Sequence, residues 1–193
     1  PGKDDGNAGA DLRPALQPYI GAVEKRRVAG EATGDLAALN AELAGVFEAL
    51  TGAGVAADAK ATEFGSMLYA KKPGDGSARE QAASCQRVIG GLANIVHEYA
   101  TKRYRSNCIN WGIVPFTLDK DTKFDYQPGD FVFVKGIRDA IVNGRETIPA
   151  KVITQKGVED ITLYVKGLTA DEKTIICEGC LMNYYAALNR KNK

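Results

Sequence analysis

The stretch Gly74-Asp75-Gly76-Ser77-Ala78-Arg79 limits what this chain can fold into more than any other. It follows the apolar run Gly65-Ser66-Met67-Leu68-Tyr69-Ala70, which reads as a short buried strand, and leads into a helix expected over 78–86. Strand, glycine loop and helix in that order build anion sites. Two glycines admit backbone conformations that a Cβ would block, and the first amides of the helix face whatever binds in front of them. Arg79, one turn in, can add a bidentate clamp on a carboxylate. Ser77 then lies beside the bound charge.

Three familiar uses of such a loop are excluded. No Gly-Lys-Ser/Thr follows, so this is not a mononucleotide-binding loop, and the glycine spacing is not that of a dinucleotide fingerprint. Ser77 is followed by Ala78-Arg79 rather than by one residue and a glycine, which excludes a nucleophile elbow. Two readings of Ser77 remain: the side-chain cap of the helix, which the residue pattern alone favours, or a chemical group acting on a bound anion. His97 is the only histidine and sits at the end of an apolar run, where packing or surface duty is expected. A serine hydrolase triad is therefore not expected.

The rest of the chain sets the frame. At 193 residues with 45% hydrophobic and 25% charged, it supports one or at most two compact domains. Lys and Arg number 25 against 24 Asp and Glu, so no long-range field selects nucleic acid or an anionic membrane, and neither is an expected partner. Four cysteines without an export signal point to reduced thiols, and no apolar run reaches the length of a membrane span, so the expected location is cytoplasmic.

Leu36, Leu39, Leu43, Val46, Phe47 and Leu50 recur at three- and four-residue steps, predicting a helix that stops at Gly52. A weaker pattern through Leu16, Ile20 and Val23 suggests a second helix before it, joined at residues 30–34. After the glycine loop, residues 92–99 and 113–118 read as strands around a polar helix at 100–112, the alternation of a partly parallel sheet. The last third changes texture: residues 130–136, 149–155 and 161–167 are strand-like, expected as antiparallel pairs flanking the first sheet. Thr169-Ala170-Asp171-Glu172 fits a capping box, with Gly179 as the helix stop.

GDGSAREQAASCQRVIGG followed by RSNCINWGIVPFTL resembles the swivel domain of the aconitase superfamily, where a GxGSxREHAA segment opens a helix. PGDFVFVKGI and EGCLMNYYAALNR fall in the family's order, and the aconitate hydratase-like branch is the most similar. The resemblance is close over about residues 64–118 and looser to Asn189. It implies an α/β fold: a swivelling β/β/α domain over 56–193, with an added helical segment at 1–55, forming the C-terminal part of a longer chain. It also implies a hydro-lyase that dehydrates and rehydrates a hydroxy di- or tricarboxylic acid. Ser77 would act as the base through its alkoxide, Arg79 would hold a substrate carboxylate, and Gly76 and Ala78 would contribute backbone amides. A [4Fe–4S] cluster would be ligated by other domains and none by this chain, which alone would be inactive. Those domains, in the same chain or in a large subunit as in isopropylmalate isomerase, are the implied partners.

The sequence departs from the family at defined places. Gln81 replaces the usual His, Ala78 replaces the second serine of the common GSSRE form, and Tyr104 stands at another His position while Asn107 is kept. A further substrate-binding arginine has no match in residues 1–30. Citrate, homocitrate, isopropylmalate-like and methylcitrate-like acids fit the site equally. The other reading of the chain is a carboxylate-binding or interdomain module that has lost catalysis. Cys177-x-x-Cys180 has the spacing of a metal pair but supplies only two ligands, and the capping-box reading makes it structural. Residues 101–105 form a basic-aromatic cluster, expected as a solvated or interdomain helix face. Trp111 and Phe116 are expected in the core beneath the second helix.

Overall fold

A computed structural model of the chain describes residues 41–191. The expected helix around Leu16, Ile20 and Val23, its joint at 30–34, and the first turns of the helix beginning near Leu36 lie outside the described residues. From Ala41 the amphipathic pattern forms helix α1 (Ala41–Gly52). Val46 and Leu50, one turn apart, are buried against Ile153, with Phe131, Phe133 and Val158 packed around them. That contact seats α1 on the sheet.

The elements that follow are β1 (Ser66–Ala70), α2 (Arg79–Val88), β2 (Gly91–Val96), α3 (Lys102–Asn110), β3 (Val114–Thr117) and β4 (Phe131–Phe133). After them come α4 (Ile137–Val142), β5 (Thr147–Thr154), β6 (Gly157–Tyr164), α5 (Ala170–Glu178) and α6 (Leu181–Lys191). The strands form one mixed sheet in the order β1-β2-β3-β6-β5-β4. β1, β2 and β3 are parallel, each pair connected through a helix, as the alternation of apolar runs and helices requires. β4, β5 and β6 are antiparallel. They flank the parallel strands within the same sheet, because the pairing of Thr117 with Tyr164 joins β6 to β3.

Side chains alternate across this sheet and define its two faces. Ile95 and Phe116, paired in register, turn to the main core with Leu118, Ile148, Val152, Ile161 and Leu163. Asn94, one residue earlier on β2, turns to the opposite face, where α2 and α3 lie. Ala83, Tyr104, Cys108 and Ile113 form a second cluster there, and Ile109, Ile141, Ile175 and Ile176 form a third beneath α3, α4 and α5. Trp111 and Phe116 therefore part company: Phe116 fills the main core, while Trp111 edges the helix-side cluster and donates from Nε1 to Glu80 Oε1 at 3.1 Å.

The capping box forms as the sequence predicts. Thr169 Oγ1 accepts from the Glu172 amide at 3.2 Å, and Glu172 Oε2 accepts from the Thr169 amide at 2.8 Å. Gly179 ends α5 in the left-handed region at φ 88°. Its carbonyl abuts Gly112, also at positive φ, where a Cβ would collide with it. Two glycines thus let the ends of α3 and α5 touch.

Candidate functional site

The glycine loop leaves the carboxyl end of β1 and enters α2, at the edge where open α/β sheets bind their ligands. Ala78, not Ser77, occupies the N-cap of α2, with φ −87° and ψ 53°, and gives the helix no side-chain cap. The first amides of α2 have no partner within the helix, as at every helix start. Ser77 is exposed and free of capping duty. The capping reading of Ser77 is thereby removed, because the chain turns into the helix one residue later than that reading requires.

Arg79 folds back over the loop. Its Nε donates to Gly74 O at 3.0 Å and its Nη2 to Asp75 O at 3.2 Å. A guanidinium carries five N–H donors, so one hydrogen of Nη1 and one of Nη2 make up its end-on edge beside the two already used. That edge can take a carboxylate in bidentate fashion while the side edge braces the backbone.

The loop is anchored to the segment after β2. Glu98 N donates to Lys71 O at 3.0 Å and Ala100 N to Pro73 O at 2.9 Å. Thr101 Oγ1 donates to Gly74 O at 2.8 Å and accepts from Tyr104 N at 3.2 Å, capping α3 at the same time. Gly74 has φ +99° and lies on the Tyr104 side chain, where an added Cβ would come within 2.5 Å. The second residue where the family's His is replaced is thus the floor under the loop. Gln81, the first, is exposed on α2.

Beneath Tyr104 the helix side buries polar groups around Asn94, which has no exposed surface. Gln86 Nε2 donates to Asn94 Oδ1 and to Ala93 O, the latter at 3.3 Å, and Asn94 Nδ2 lies 3.3 Å from Cys108 Sγ. Gln86 Oε1 and Tyr99 Oη are buried with no hydrogen-bond partner among the described residues. Burial pushes the Cys108 thiol up to about 11 and the Tyr104 hydroxyl up to about 12, with Cys108 beside it adding to the rise. Burial and then Cys108 also raise Tyr99. All three are neutral at physiological pH, so Cys108 is no thiolate nucleophile. The sequence reading missed this cluster, whose one signal was an asparagine inside the apolar run Leu92-Ala93-Asn94-Ile95-Val96.

The remaining candidates are structural in placement. His97 Nδ1 lies 3.2 Å from Asp119 O, which only accepts, and its Nε2 lies 3.0 Å from the Tyr69 hydroxyl. Cys177 lies in the last turn of α5, and its carbonyl accepts from Arg138 Nη1 at 2.6 Å. Cys180 follows the Gly179 stop. In the basic cluster, Arg105 reaches Lys166 O at 2.9 Å and Glu172 Oε1 at 3.6 Å, while Lys102 and Arg103 are exposed. The loop itself is an open surface. The hollow lined by Ile141, Arg145, Glu146, Val165, Leu168 and Lys173 shares no residue with it.

Comparison with known proteins finds relatives in the aconitase superfamily. Over 112 residues the chain is 31% identical to an Emericella nidulans protein carrying the name of a mitochondrial aconitate hydratase, covering 57% of this chain and 14% of that one. Over 104 residues it is 34% identical to the 3-isopropylmalate dehydratase small subunit of Metallosphaera sedula, covering 54% of this chain and 60% of the relative. The chain has aconitase-superfamily homologues. It is similar to only part of each relative, and no family model matches it. At the level of the superfamily the relatives are hydro-lyases, and one is a small subunit by name. Among the described residues no helix is long and apolar enough to cross a membrane.

Proposed function

We propose that this chain is the swivel domain of an aconitase-like hydro-lyase, over residues 56–193, acting on a hydroxy di- or tricarboxylic acid. The observation that carries the reading is the pairing of Ser77, exposed and not used as a cap, with Arg79, whose end-on edge meets no partner among the described residues. In this reading that edge and the first amides of α2 hold a substrate carboxylate. The Ser77 alkoxide removes the proton from the carbon α to that carboxylate, and the new O–H bond forms as the C–H bond breaks.

An alkoxide at this position draws on two features of the chain and on one supplied from outside it. The α2 N-terminus favours negative charge, Arg79 places a cation beside it, and closure of the site would exclude water and strengthen both. Closure needs a surface from outside the described residues, because Ser77 is exposed. This supports a partner: the cluster-bearing domains of a longer chain, or a large subunit.

The superfamily's [4Fe–4S] cluster does not fit on these residues. Cys177 and Cys180 offer two thiols, Cys108 is buried against Asn94, and the described residues gather no third metal ligand around the pair. We assign the cluster to the partner domains.

The test is hydration of cis-aconitate and its homologues by the full-length, anaerobically reconstituted protein and its Ser77→Ala form. We expect Ser77→Ala to lower turnover on the order of 10²–10⁴-fold with KM little changed. Unchanged turnover removes Ser77 from the mechanism. A protein that holds its cluster and binds tricarboxylate yet turns over none of these acids is a binding module instead.

A further inference from the structure

We propose that Thr101 is a positioning residue for the glycine loop, fixing Ser77 and Arg79 through the Gly74 carbonyl. Its hydroxyl does two things at once: it donates to Gly74 O at 2.8 Å and accepts from Tyr104 N at 3.2 Å. Gly74 O is therefore held from both sides, by Thr101 and by Arg79 Nε at 3.0 Å. Tyr104, on the turn that Thr101 caps, supplies the surface against which Gly74 sits. One side chain thus ties the start of α3 to the loop that precedes α2, 27 residues away.

The tie has a chemical asymmetry that can be used. Capping α3 needs an acceptor at position 101, whereas holding Gly74 O needs a donor. A hydroxyl is both, and an ionised carboxylate is an acceptor only. Thr101→Ser keeps both functions, Thr101→Asp keeps the cap and loses the loop, and Thr101→Val loses both. The step from loop position to turnover rests on the reading of Ser77 as the base; the anchoring itself does not.

One tryptic digest of the full-length protein reads both ends of the tie. Lys71 and Arg79 flank the loop, and Arg103 and Arg105 lie within α3. We expect Thr101→Asp to speed cleavage after Lys71 and Arg79 while cleavage after Arg103 and Arg105 stays as in the wild type. Thr101→Val speeds all four, and Thr101→Ser none. Turnover of cis-aconitate falls about tenfold to a hundredfold in Thr101→Asp and Thr101→Val, with the loss in kcat, and Thr101→Ser restores it.

If Thr101→Asp digests like Thr101→Ser, Thr101 is a helix cap and nothing more, and the proposal is overturned. If the loop loosens but turnover holds while Ser77→Ala abolishes it, the loop position does not serve catalysis. If Ser77→Ala is silent as well, the reading of the site fails, and the digest still decides whether Thr101 anchors the loop.

Discussion

Strands β5 and β6 run eight residues each, pair along their full length, and turn Ile148, Ala150, Val152, Ile161 and Leu163 into the main core with no polar side chain among them. The parallel strands β1 to β3 are six residues at most and place a fully buried asparagine in the middle of β2, with Gln86 and Cys108 gathered on it. The first arrangement stabilises through apolar area, at about 1.5–3 kcal/mol for each large side chain buried. The second contributes little net stability, since hydrogen bonds inside only replace those made to water. It makes displacement expensive instead. A buried polar group that loses its partner costs about 1–3 kcal/mol, so Asn94, Gln86 and the helices bearing on them have one acceptable arrangement. The glycine loop rests on that arrangement through Tyr104. The hairpin keeps the domain folded, and the polar cluster keeps one loop in register with its neighbours.

Truncation in the hairpin is the largest expected effect. Leu163 has no exposed surface, and Leu163→Ala is expected to remove about 3 kcal/mol, within the 2–5 kcal/mol usual for such cavities. Urea unfolding at neutral pH measures it, and tryptic cleavage at the glycine loop under native conditions should not change. A loss under about 1 kcal/mol means the site collapses around the cavity, and the hairpin is then not where stability is concentrated.

The polar cluster should reveal itself through alkali. Cys108 rises from 9.0 to about 11 and Tyr104 from 10.0 to about 12, both through burial first. Each group is neutral when folded at a pH where the unfolded chain has released its proton. The unfolded state therefore binds fewer protons in those windows, and stability falls as pH rises. Below pH 9 the contribution is fully present. For the thiol it is lost between pH 9 and 11, at about 1.4 kcal/mol per pH unit. Urea midpoints measured from pH 8 to 11 should slope downward in the wild type and lose the thiol's share of that slope in Cys108→Ala. Identical slopes for the two proteins would show that Cys108 reaches solvent, and the contrast between the halves would fail on its polar side.

These two effects bear on what the sequence disclosed. Alternation in Ile161, Leu163 and Val165, and the capping box with Gly179, were legible because each is set by neighbours two to four residues away. The glycine loop was legible for the same reason. What escaped depends on distant partners. Ala78 takes the N-cap in a loop that Thr101 holds at Gly74 from 27 residues away, a contact that no local signal at Ser77 reports. Helix α4 is six residues long and opens on a left-handed glycine without a side-chain cap, too short to show a period. The junction of β3 with β6 brings together residues 47 positions apart, which no run of hydrophobicity encodes.

The smallest expected effect tests the other face of the hairpin. Lys151 Nζ lies 2.6 Å from Asp160 Oδ1 across β5 and β6, with the Asp160 side chain 81% exposed. Such a pair faces water and salt, and pairs of this kind contribute about 0.2–1 kcal/mol. Asp160→Asn should therefore lower stability by no more than that, and the difference should shrink in high salt because mobile ions screen the same attraction. Melts at low and high ionic strength decide it. A loss well above 1 kcal/mol that persists in salt would mean the pair is held out of water by something packed over it. The cover that α1 gives this face at Ile153 would then extend over Lys151 as well, and the hairpin would draw more stability from that face than the buried pair of Val46 and Leu50 supplies.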